Sequence, residues 1–479
     1  MPTKSNSVEL VFQGHSSIVH RYRWLALAVL CLGVLMIMLD STIVNVALPS
    51  IQIALQFPDT SLAWVVNAYF LTFGGFLLLG GRLGDLYGRR RLFLFGIALF
   101  TIASLVCGVA QTPVFLVSAR AMQGFGGAIV TAVAMSLIMD LFGEPADRAK
   151  AMGVYGFVCA SGSSLGAVLG GALTGSLGWH WIFLINLPIG IAVIALSLKL
   201  LPGKHERPSS QHLDTLGAVT GTASLMLAVY AIVNGNEWGW ASYQSLGYIA
   251  VASVLFVFFL AVEMRVKMPL LPLRLFRLRN VTVANIVVIF WAGALFAWFF
   301  LSSLYLQLVL GYEPMQVGLA FLPANLIMAA FSLWISGPLV NRFGIKWPLV
   351  VGMFLASVGL LLFSRAPVDG SFSLDVLPGM LLFGLGAGIA VNPMLLAATN
   401  GVPATESGLA SGVVNTSFAM GGALWLAVLT SFAAYYTKYM ETIGLDPHAA
   451  LNGGYQAAFL AAACFALLGA VLSAMLLKV

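Results

Sequence analysis

Long uncharged apolar runs recur along the whole chain, and short polar segments separate them. A helix needs about 20 predominantly apolar residues to cross the hydrocarbon core of a bilayer. Fourteen such runs can be counted in the 479 residues. Only 8% of the residues are charged, whereas about 25% are charged in an average soluble domain. Because so few charges could not cover a soluble surface, the sequence predicts an all-α polytopic membrane protein.

The predicted spans follow one another at regular intervals, and each end is uncertain by a few residues. They lie near residues 24–48, 61–80, 91–110, 113–141, 151–175, 181–201, 215–233, 244–263, 281–309, 314–336, 347–365, 376–399, 406–433 and 455–477.

Positive charges are unevenly distributed between the two predicted sides of the membrane. If the N-terminus lies inside, 20 of the 23 Lys and Arg residues fall in cytoplasmic segments, and only Arg365 and Lys438 fall outside. Cytoplasmic loops of membrane proteins carry such an excess, so both termini are predicted to be cytoplasmic. The basic residues lie in short loops beside the spans, which argues against nucleic acid as a partner.

Two pairs of similar segments indicate an internal duplication. Residues Gly81–Arg91 parallel Gly337–Lys346 at an offset of 256 positions, and Gly124–Gly127 parallel Gly384–Ala387 at an offset of 260. Many transporters are built from such repeats. The repeat predicts a cytoplasmic tail, an N-terminal six-helix half, an inserted helix pair and a C-terminal six-helix half, at residues 1–23, 24–201, 202–280 and 281–479.

Four motifs carry a resemblance to a known family. They are the loop Gly81–Arg91 and the span segments Leu39–Pro49, Arg120–Gly127 and Trp179–Gly190. Together they resemble the fourteen-span drug:proton antiporter branch of the major facilitator superfamily. The resemblance implies two six-helix halves plus two inserted helices, and export driven by a proton gradient without a cofactor. Leu86 and Ala167 stand where the family usually has arginine and proline.

Two ionisable residues, Asp40 and Arg120, are predicted to lie well inside spans. A charge in hydrocarbon costs a few to more than ten kcal/mol and therefore marks function. At 1.5 Å per residue, both lie about 10–12 Å from the outer ends of spans 1 and 4. They either form a buried ion pair that holds two helices together, or Asp40 is occupied alternately by a proton and a cationic substrate.

Aromatic and amide side chains in the spans are candidates for the substrate cavity. They are Asn45, Trp64, Asn67, Tyr69, Gln123, Phe290, Trp291, Tyr305, Gln307, Asn392, Pro393, Asn415 and Phe418. A cavity lined by aromatic rings and one carboxylate suits flat lipophilic cations. The alternative is that the rings face lipid or neighbouring helices.

Two further groups concern movement between states. A cytoplasmic gate latch is implied by the resemblance for Gly81, Asp85, Gly88, Arg89 and Arg90, with Asp140 as the partner of Arg89; the alternative is a simple positive-inside anchor. Small residues allow helices to approach closely. Gly162, Gly166, Gly170 and Gly171 are therefore predicted to pack the two halves together and to permit sliding, with static packing as the alternative.

Several kinds of protein are excluded by what the sequence lacks. No GxxxxGK[ST] motif is present for ATP, and the four cysteines and six histidines form no metal-ligand pattern. The predicted function is proton-coupled export of lipophilic, cationic drugs or toxic compounds across a bacterial inner membrane by a monomer, and not enzymatic catalysis. The alternatives are export of one endogenous metabolite or lipid and, less favoured by the duplication and Asp40, a channel or receptor.

Overall fold

The structure is a computed structural model that describes residues 5–58, 61–142, 144–201, 214–266, 269, 271, 273–402 and 407–478. In the N-terminal part the helices are α1 Ser5–Leu55, α2 Trp64–Tyr87, α3 Arg89–Gly108, α4 Pro113–Leu141, α5 Pro145–Leu177, α6 Trp181–Leu184 and α7 Asn186–Leu200. The inserted pair is α8 Thr215–Trp238 and α9 Tyr243–Arg265. The C-terminal part contains α10 Arg279–Leu304, α11 Pro314–Ala330, α12 Ser336–Phe343, α13 Lys346–Phe363, α14 Leu377–Thr399, α15 Ser407–Thr442 and α16 Pro447–Leu476.

Twelve helical segments among the described residues are long and apolar enough to cross a membrane. Two shorter apolar stretches, Trp64–Leu77 in α2 and Leu165–Leu177 in α5, lie where spans 2 and 5 are predicted. The all-α polytopic architecture is confirmed, while the count of fourteen spans stays a prediction. Helix α1 begins at Ser5, and the candidate span within it, Tyr22–Leu55, begins close to the predicted residue 24.

The helix ends carry the local signals that the sequence contains. Thr112 caps α4 by accepting a hydrogen bond from the backbone N–H of Phe115, and Pro113 occupies the first turn. Both choices suit a helix N-terminus, where backbone N–H groups lack partners. Gly88 has a φ of 90° between α2 and α3, a left-handed conformation that glycine adopts readily. The predicted loop Gly81–Arg91 is therefore reduced to a turn at Gly88, because α2 continues to Tyr87 and α3 begins at Arg89.

Each half packs mainly on itself. In the N-terminal half, α4 packs on α2 and α3, and α1 packs on α5 and α7. In the C-terminal half, α13 packs on α14 and α16, while α10 packs on α15 and α16. Residues 202–213 lie outside the described residues, so the predicted boundaries of the inserted pair stay predictions.

The halves meet along two seams, one between α5 and α11 and one between α2 and α15. At the α5–α11 seam the helices touch through their backbones: a side-chain carbon on Gly318 would lie 2.8 Å from the carbonyl oxygen of Ala167. At the α2–α15 seam a carbon on Gly74 would lie 2.9 Å from Cβ of Ala419. Such close approach needs glycine at the contact.

The helix ends α1 and α10 join the halves between these seams. The hydroxyl of Ser303 donates to the carbonyl oxygen of Asn45 at 2.8 Å, and the amide of Gln307 donates to that of Val46 at 3.0 Å. The rings of Phe70 and Phe296 lie 4.3 Å apart between α2 and α10. The contacts between the halves therefore include the C-terminal parts of α1 and α10.

The glycine ladder of α5 does not face the other half, and that prediction is wrong. Gly162, Gly166 and Gly170 pack against α1 of their own half, where Gly170 lies beside the backbone of Ile43. Gly171, one position further, lies against α11 as predicted. Four-residue spacing defines a helix face, but it does not say which neighbour that face meets.

The inserted pair lies beside the α2–α15 seam. Thr222 of α8 packs against Gly75 of α2, and the amide of Asn236 donates to the carbonyl oxygen of Ser431 of α15 at 2.7 Å. Helix α9 packs against α8, and most of its span is exposed. Helix α8 therefore contacts both halves of the protein, while α9 lies at the periphery.

Candidate functional site

The two predicted intramembrane charges meet in the interior of the N-terminal half. Asp40 lies on α1 and Arg120 on α4, and both are 0% exposed. The guanidinium Nη1 of Arg120 donates to Oδ2 of Asp40. The other carboxylate oxygen accepts hydrogen bonds from Gln123 at 2.7 Å and from Asn186 at 2.9 Å. Three side-chain donors therefore hold the carboxyl group of Asp40.

Arg120 has further partners that fix its position. Its Nε donates to the carbonyl oxygen of Val65 on α2 at 3.0 Å, and Nη1 donates to Gln123 at 2.7 Å. Its guanidinium carbon lies 4.4 Å from the ring centroid of Tyr69 and 5.6 Å from that of Phe183. Cation–π attraction of this kind is strongest where water is absent. Its Nη2 is buried without a hydrogen-bond partner.

Two members of this network are absent from the predicted site. Gln123 donates to the hydroxyl of Ser104 on α3 at 2.8 Å, and Asn186 at the start of α7 donates to the same oxygen at 3.3 Å. Asn186 stands inside the sixth-span motif, so its position in a motif was the available signal. Ser104 carried none, because single serines are common in spans. Asp40, Arg120, Gln123, Ser104 and Asn186 form what we call the polar node.

The polar node joins four helices, namely α1, α3, α4 and α7, and the hydrogen bond from Arg120 to Val65 attaches it to α2. The donors that bond the Asp40 side chain, Arg120, Gln123 and Asn186, all lie in the N-terminal half. Buried charges are tolerated when they are paired and hydrogen-bonded. Separation of the pair would leave the buried guanidinium of Arg120 without an anion. The geometry thus accommodates both sequence interpretations, a structural ion pair and a switchable one.

The other cavity candidates fall into separate places. Three aromatic candidates pack against rings of other helices: Trp64 against Tyr230, Phe290 against Trp425, and Trp291 against Phe383. The hydroxyl of a fourth, Tyr305, donates to the carbonyl oxygen of Pro367. The side-chain amide of Asn45 donates to the carbonyl oxygen of Thr42 in its own helix at 3.2 Å. Gln307, in the π-helical turn Tyr305–Val309 after α10, donates to Val46 of α1, and Phe418 packs against Phe296 near the α2–α15 seam. Asn67 is fully buried, and its side-chain amide has no hydrogen-bond partner.

The remaining three candidates, Asn392, Pro393 and Asn415, lie on α14 and α15 of the C-terminal half. The amide of Asn392 on α14 donates at 2.7 Å to the carbonyl oxygen of Ser332, which lies in a π-helical turn, Phe331–Ile335. Such turns free a backbone carbonyl and are frequent at functional sites. Pro393 is buried beside it, while Asn415 on α15 is exposed. The structure therefore brings none of the three into contact with the polar node.

The predicted latch residues lie at the junction of α2 and α3. Arg89 donates to Asp140 of α4 at 2.5 Å, which is the contact expected from the sequence, and Arg90 donates to the carbonyl oxygen of Leu198 of α7 at 2.6 Å. Gly81 lies in the last turns of α2. The side chain of Asp85 lies outside the described part of the chain. The role of these contacts as a latch stays a prediction.

Known proteins resemble this chain along most of its length. Residues 30–426 match the family model described as Major Facilitator Superfamily. The chain is 38% identical over 457 residues to the puromycin resistance protein of Streptomyces alboniger, a match that covers 94% of this chain and 90% of that protein. It is 36% identical over 455 residues to the cephamycin export protein of Amycolatopsis lactamdurans, covering 94% and 92%.

Solved structures share the fold. A bacterial homologue of the human lysosomal transporter Spinster, in an inward-facing and unoccupied conformation, superposes with a TM-score of 0.68. Its sequence identity is 16%, and the match covers 95% of this chain and 96% of that one. At this identity the likeness shows the fold alone. The family match and the two relatives show that the chain belongs to the major facilitator superfamily, whose members are membrane transporters and not enzymes.

Proposed function

We propose that the protein exports lipophilic compounds, including antibiotics and cationic drugs, from the cytoplasm of a bacterium in exchange for protons. The observation that carries the proposal is the fully buried Asp40–Arg120 pair, in a chain whose relatives bear the names of resistance and export proteins. The proton gradient supplies the energy, and no cofactor is required. One chain contains both halves, so we propose the monomer as the transport unit.

The distribution of positive charge supports an orientation with both termini in the cytoplasm. In that orientation two contacts between the halves lie towards the outer face. One joins α1 to α10 through Asn45 and Ser303, and the other joins α5 to α11 through Gly171 and Pro314. The opposite ends of α12 and α14 carry exposed residues such as Asn341, Arg342 and Leu396. These features support a state that is closed to the outside and open to the cytoplasm, in which cargo enters.

Proton coupling is assigned to Asp40 because it can change charge within the span. In the state described, Arg120 neutralises it. We propose that movement of α1 against α4 during alternating access separates the pair, so that Asp40 takes up a proton from the outside and releases it inside. One proton moving inward releases about 2.3 kcal/mol per 100 mV and about 1.4 kcal/mol per pH unit. That suffices for a substrate gradient of tens- to hundreds-fold.

Export and proton coupling are tested in proteoliposomes that contain a pH-sensitive dye. Puromycin, lincomycin, tetracenomycin C and tetraphenylphosphonium are added in turn to vesicles with an imposed pH gradient, with protein-free liposomes as the control. The expected result is uptake of several compounds that stops when an uncoupler is added, accompanied by proton movement in the opposite direction. Uptake that ignores the uncoupler, or steady single-channel currents, would overturn the proposal.

A second candidate is the same carrier dedicated to one compound, because each of the two relatives described is named for a single antibiotic. The panel separates the two. Transport of compounds with unrelated scaffolds supports a multidrug exporter, whereas transport of one scaffold alone supports a dedicated exporter.

A further inference from the structure

Two buried asparagines differ from the others in the spans. Asn67 on α2 and Asn325 on α11 are both 0% exposed, and neither the nitrogen nor the oxygen of either amide has a hydrogen-bond partner. Asn285 on α10 is just as buried, but its amide is bonded on both sides, to the carbonyl oxygen of Val281 and to the hydroxyl of Ser417, each at 2.8 Å. Buried polar groups are nearly always paired, so two unpaired amides need an explanation.

The two asparagines lie on helices that the internal repeat relates. Asn67 precedes Gly81 by 14 positions and Asn325 precedes Gly337 by 12, so their positions in the repeat differ by two residues. Each helix forms one seam, α2 with α15 and α11 with α5. An unpaired buried amide therefore occurs once on a seam helix of each half.

Both side chains lie on the helix face that meets the other half. Asn67 precedes Gly74 by seven residues, and Gly74 touches α15; Asn325 follows Gly318 by seven residues, and Gly318 touches α5. Seven residues are almost two full turns, so each asparagine shares the face of its glycine. Phe70, three residues after Asn67, touches Phe296 of the other half. In this state each amide is enclosed where its helix packs against the opposite half.

Parting of the seams gives both amides access to the passage between the halves. A primary amide offers two donors and an acceptor with two lone pairs, without a net charge. We infer that Asn67 and Asn325, one from each half, are cargo contacts that bind carbonyl, hydroxyl and amide groups of otherwise apolar molecules. This assignment rests on the proposed export function and adds a preference for cargo with neutral hydrogen-bonding groups over cargo that has none.

Substitution by leucine tests the assignment, because leucine keeps the size of asparagine and removes its amide. The variants Asn67→Leu and Asn325→Leu are compared with Asn285→Leu. Two quantities are measured: the uptake ratio of puromycin to tetraphenylphosphonium, which lacks hydrogen-bonding groups, and the thermal unfolding midpoint of the purified protein.

Each seam variant is expected to lower the uptake ratio about three- to tenfold, the effect of one neutral hydrogen bond. Each is also expected to raise the unfolding midpoint, because an unpaired buried amide disappears. Asn285→Leu is expected to lower the midpoint and to leave the ratio unchanged, because its amide is paired inside one half.

Unchanged uptake ratios in both seam variants, or a fall in their midpoints as in Asn285→Leu, would overturn the assignment while leaving the export function intact. Uptake of tetraphenylphosphonium alone by the wild type would overturn it as well. If the wild type moves neither probe nor any other compound of the panel, the proposed export function itself fails, and the assignment fails with it.

Discussion

Single and double variants of Asp40 and Arg120 can separate what the ion pair contributes to folding stability from its proposed role in transport. Both side chains are fully buried, so Asp40→Asn leaves a guanidinium without an anion, and Arg120→Gln leaves a carboxylate without a cation. Removing one partner of a buried ion pair costs about 3–5 kcal/mol of folding stability. Each single variant is therefore expected to be strongly destabilised, and loss of transport in either alone would not identify a coupling residue.

The double variant Asp40→Asn/Arg120→Gln replaces both charges by neutral amides that can still bond Gln123 and Asn186. Its expected cost is about 1–3 kcal/mol, for imperfectly paired amides. The two substitutions together should thus cost at least about 3 kcal/mol less than the sum of the single ones. The free energies are measured by equilibrium unfolding in mixed detergent micelles, and transport is measured on the same proteins in proteoliposomes.

The pair Arg89 and Asp140 supplies the control, because its side chains are 24% and 47% exposed. Exposed pairs contribute about 0–1 kcal/mol, so Arg89→Gln and Asp140→Asn should be nearly additive. Restored stability without restored transport in the double variant supports proton coupling at Asp40. Restored transport shows that the pair only holds α1 and α4 together. Single variants within about 1 kcal/mol of the wild type would refute the reasoning, because the pair would then not be desolvated.

Three further outcomes follow from the contacts described. Reversing one charge, as in Arg89→Asp, should reduce the transport rate with little change in the unfolding midpoint, because the pair is partly exposed. Adding Asp140→Arg should restore the rate, and a rate that the double reversal leaves low would dissociate transport from this contact. Gly318→Leu should prevent the α5–α11 seam from closing, because no space exists beside Ala167; it should raise labelling of cysteines introduced at that seam from the outside, and unchanged labelling would contradict the backbone contact. Partial burial lowers the pKa of His180, so the folded state favours the neutral imidazole. The small contribution to folding stability is present above the unfolded pKa of about 6.5 and is lost as pH falls through the lower folded pKa. Between pH 7.5 and pH 5 the unfolding midpoint of His180→Gln should therefore fall less than that of the wild type.

The sequence predicts the parts of the site that depend on position along a helix. Asp40 and Arg120 could be placed at one depth because depth follows from the rise per residue, and the structure brings them into contact. The pairing of Arg89 with Asp140 was predictable for the same reason, since both lie at helix ends on one side. Asn186 and Ser104 were missed because their contacts depend on how α3 and α7 are rotated.

Rotation also explains the errors at the helix faces. The ladder Gly162, Gly166 and Gly170 defines a small-residue face, but its neighbour is α1 and not the other half. Trp64 packs against Tyr230 of the inserted pair, a contact between segments about 170 positions apart. Periodicity identifies a face, whereas the partner of that face depends on the packing of all helices together.

Because of the position of α8, the two seams between the halves differ in how they are covered on the side that faces the lipid. Because α8 contacts both α2 and α15, a molecule dissolved in the bilayer meets that seam behind a helix that it would have to displace. Within the described residues, neither inserted helix packs against α5 or α11, and glycines bring those two backbones together. A lipophilic compound in the bilayer would thus meet an inserted helix at the α2–α15 seam but not at the α5–α11 seam. The inserted pair therefore breaks the approximate twofold symmetry of the two six-helix halves.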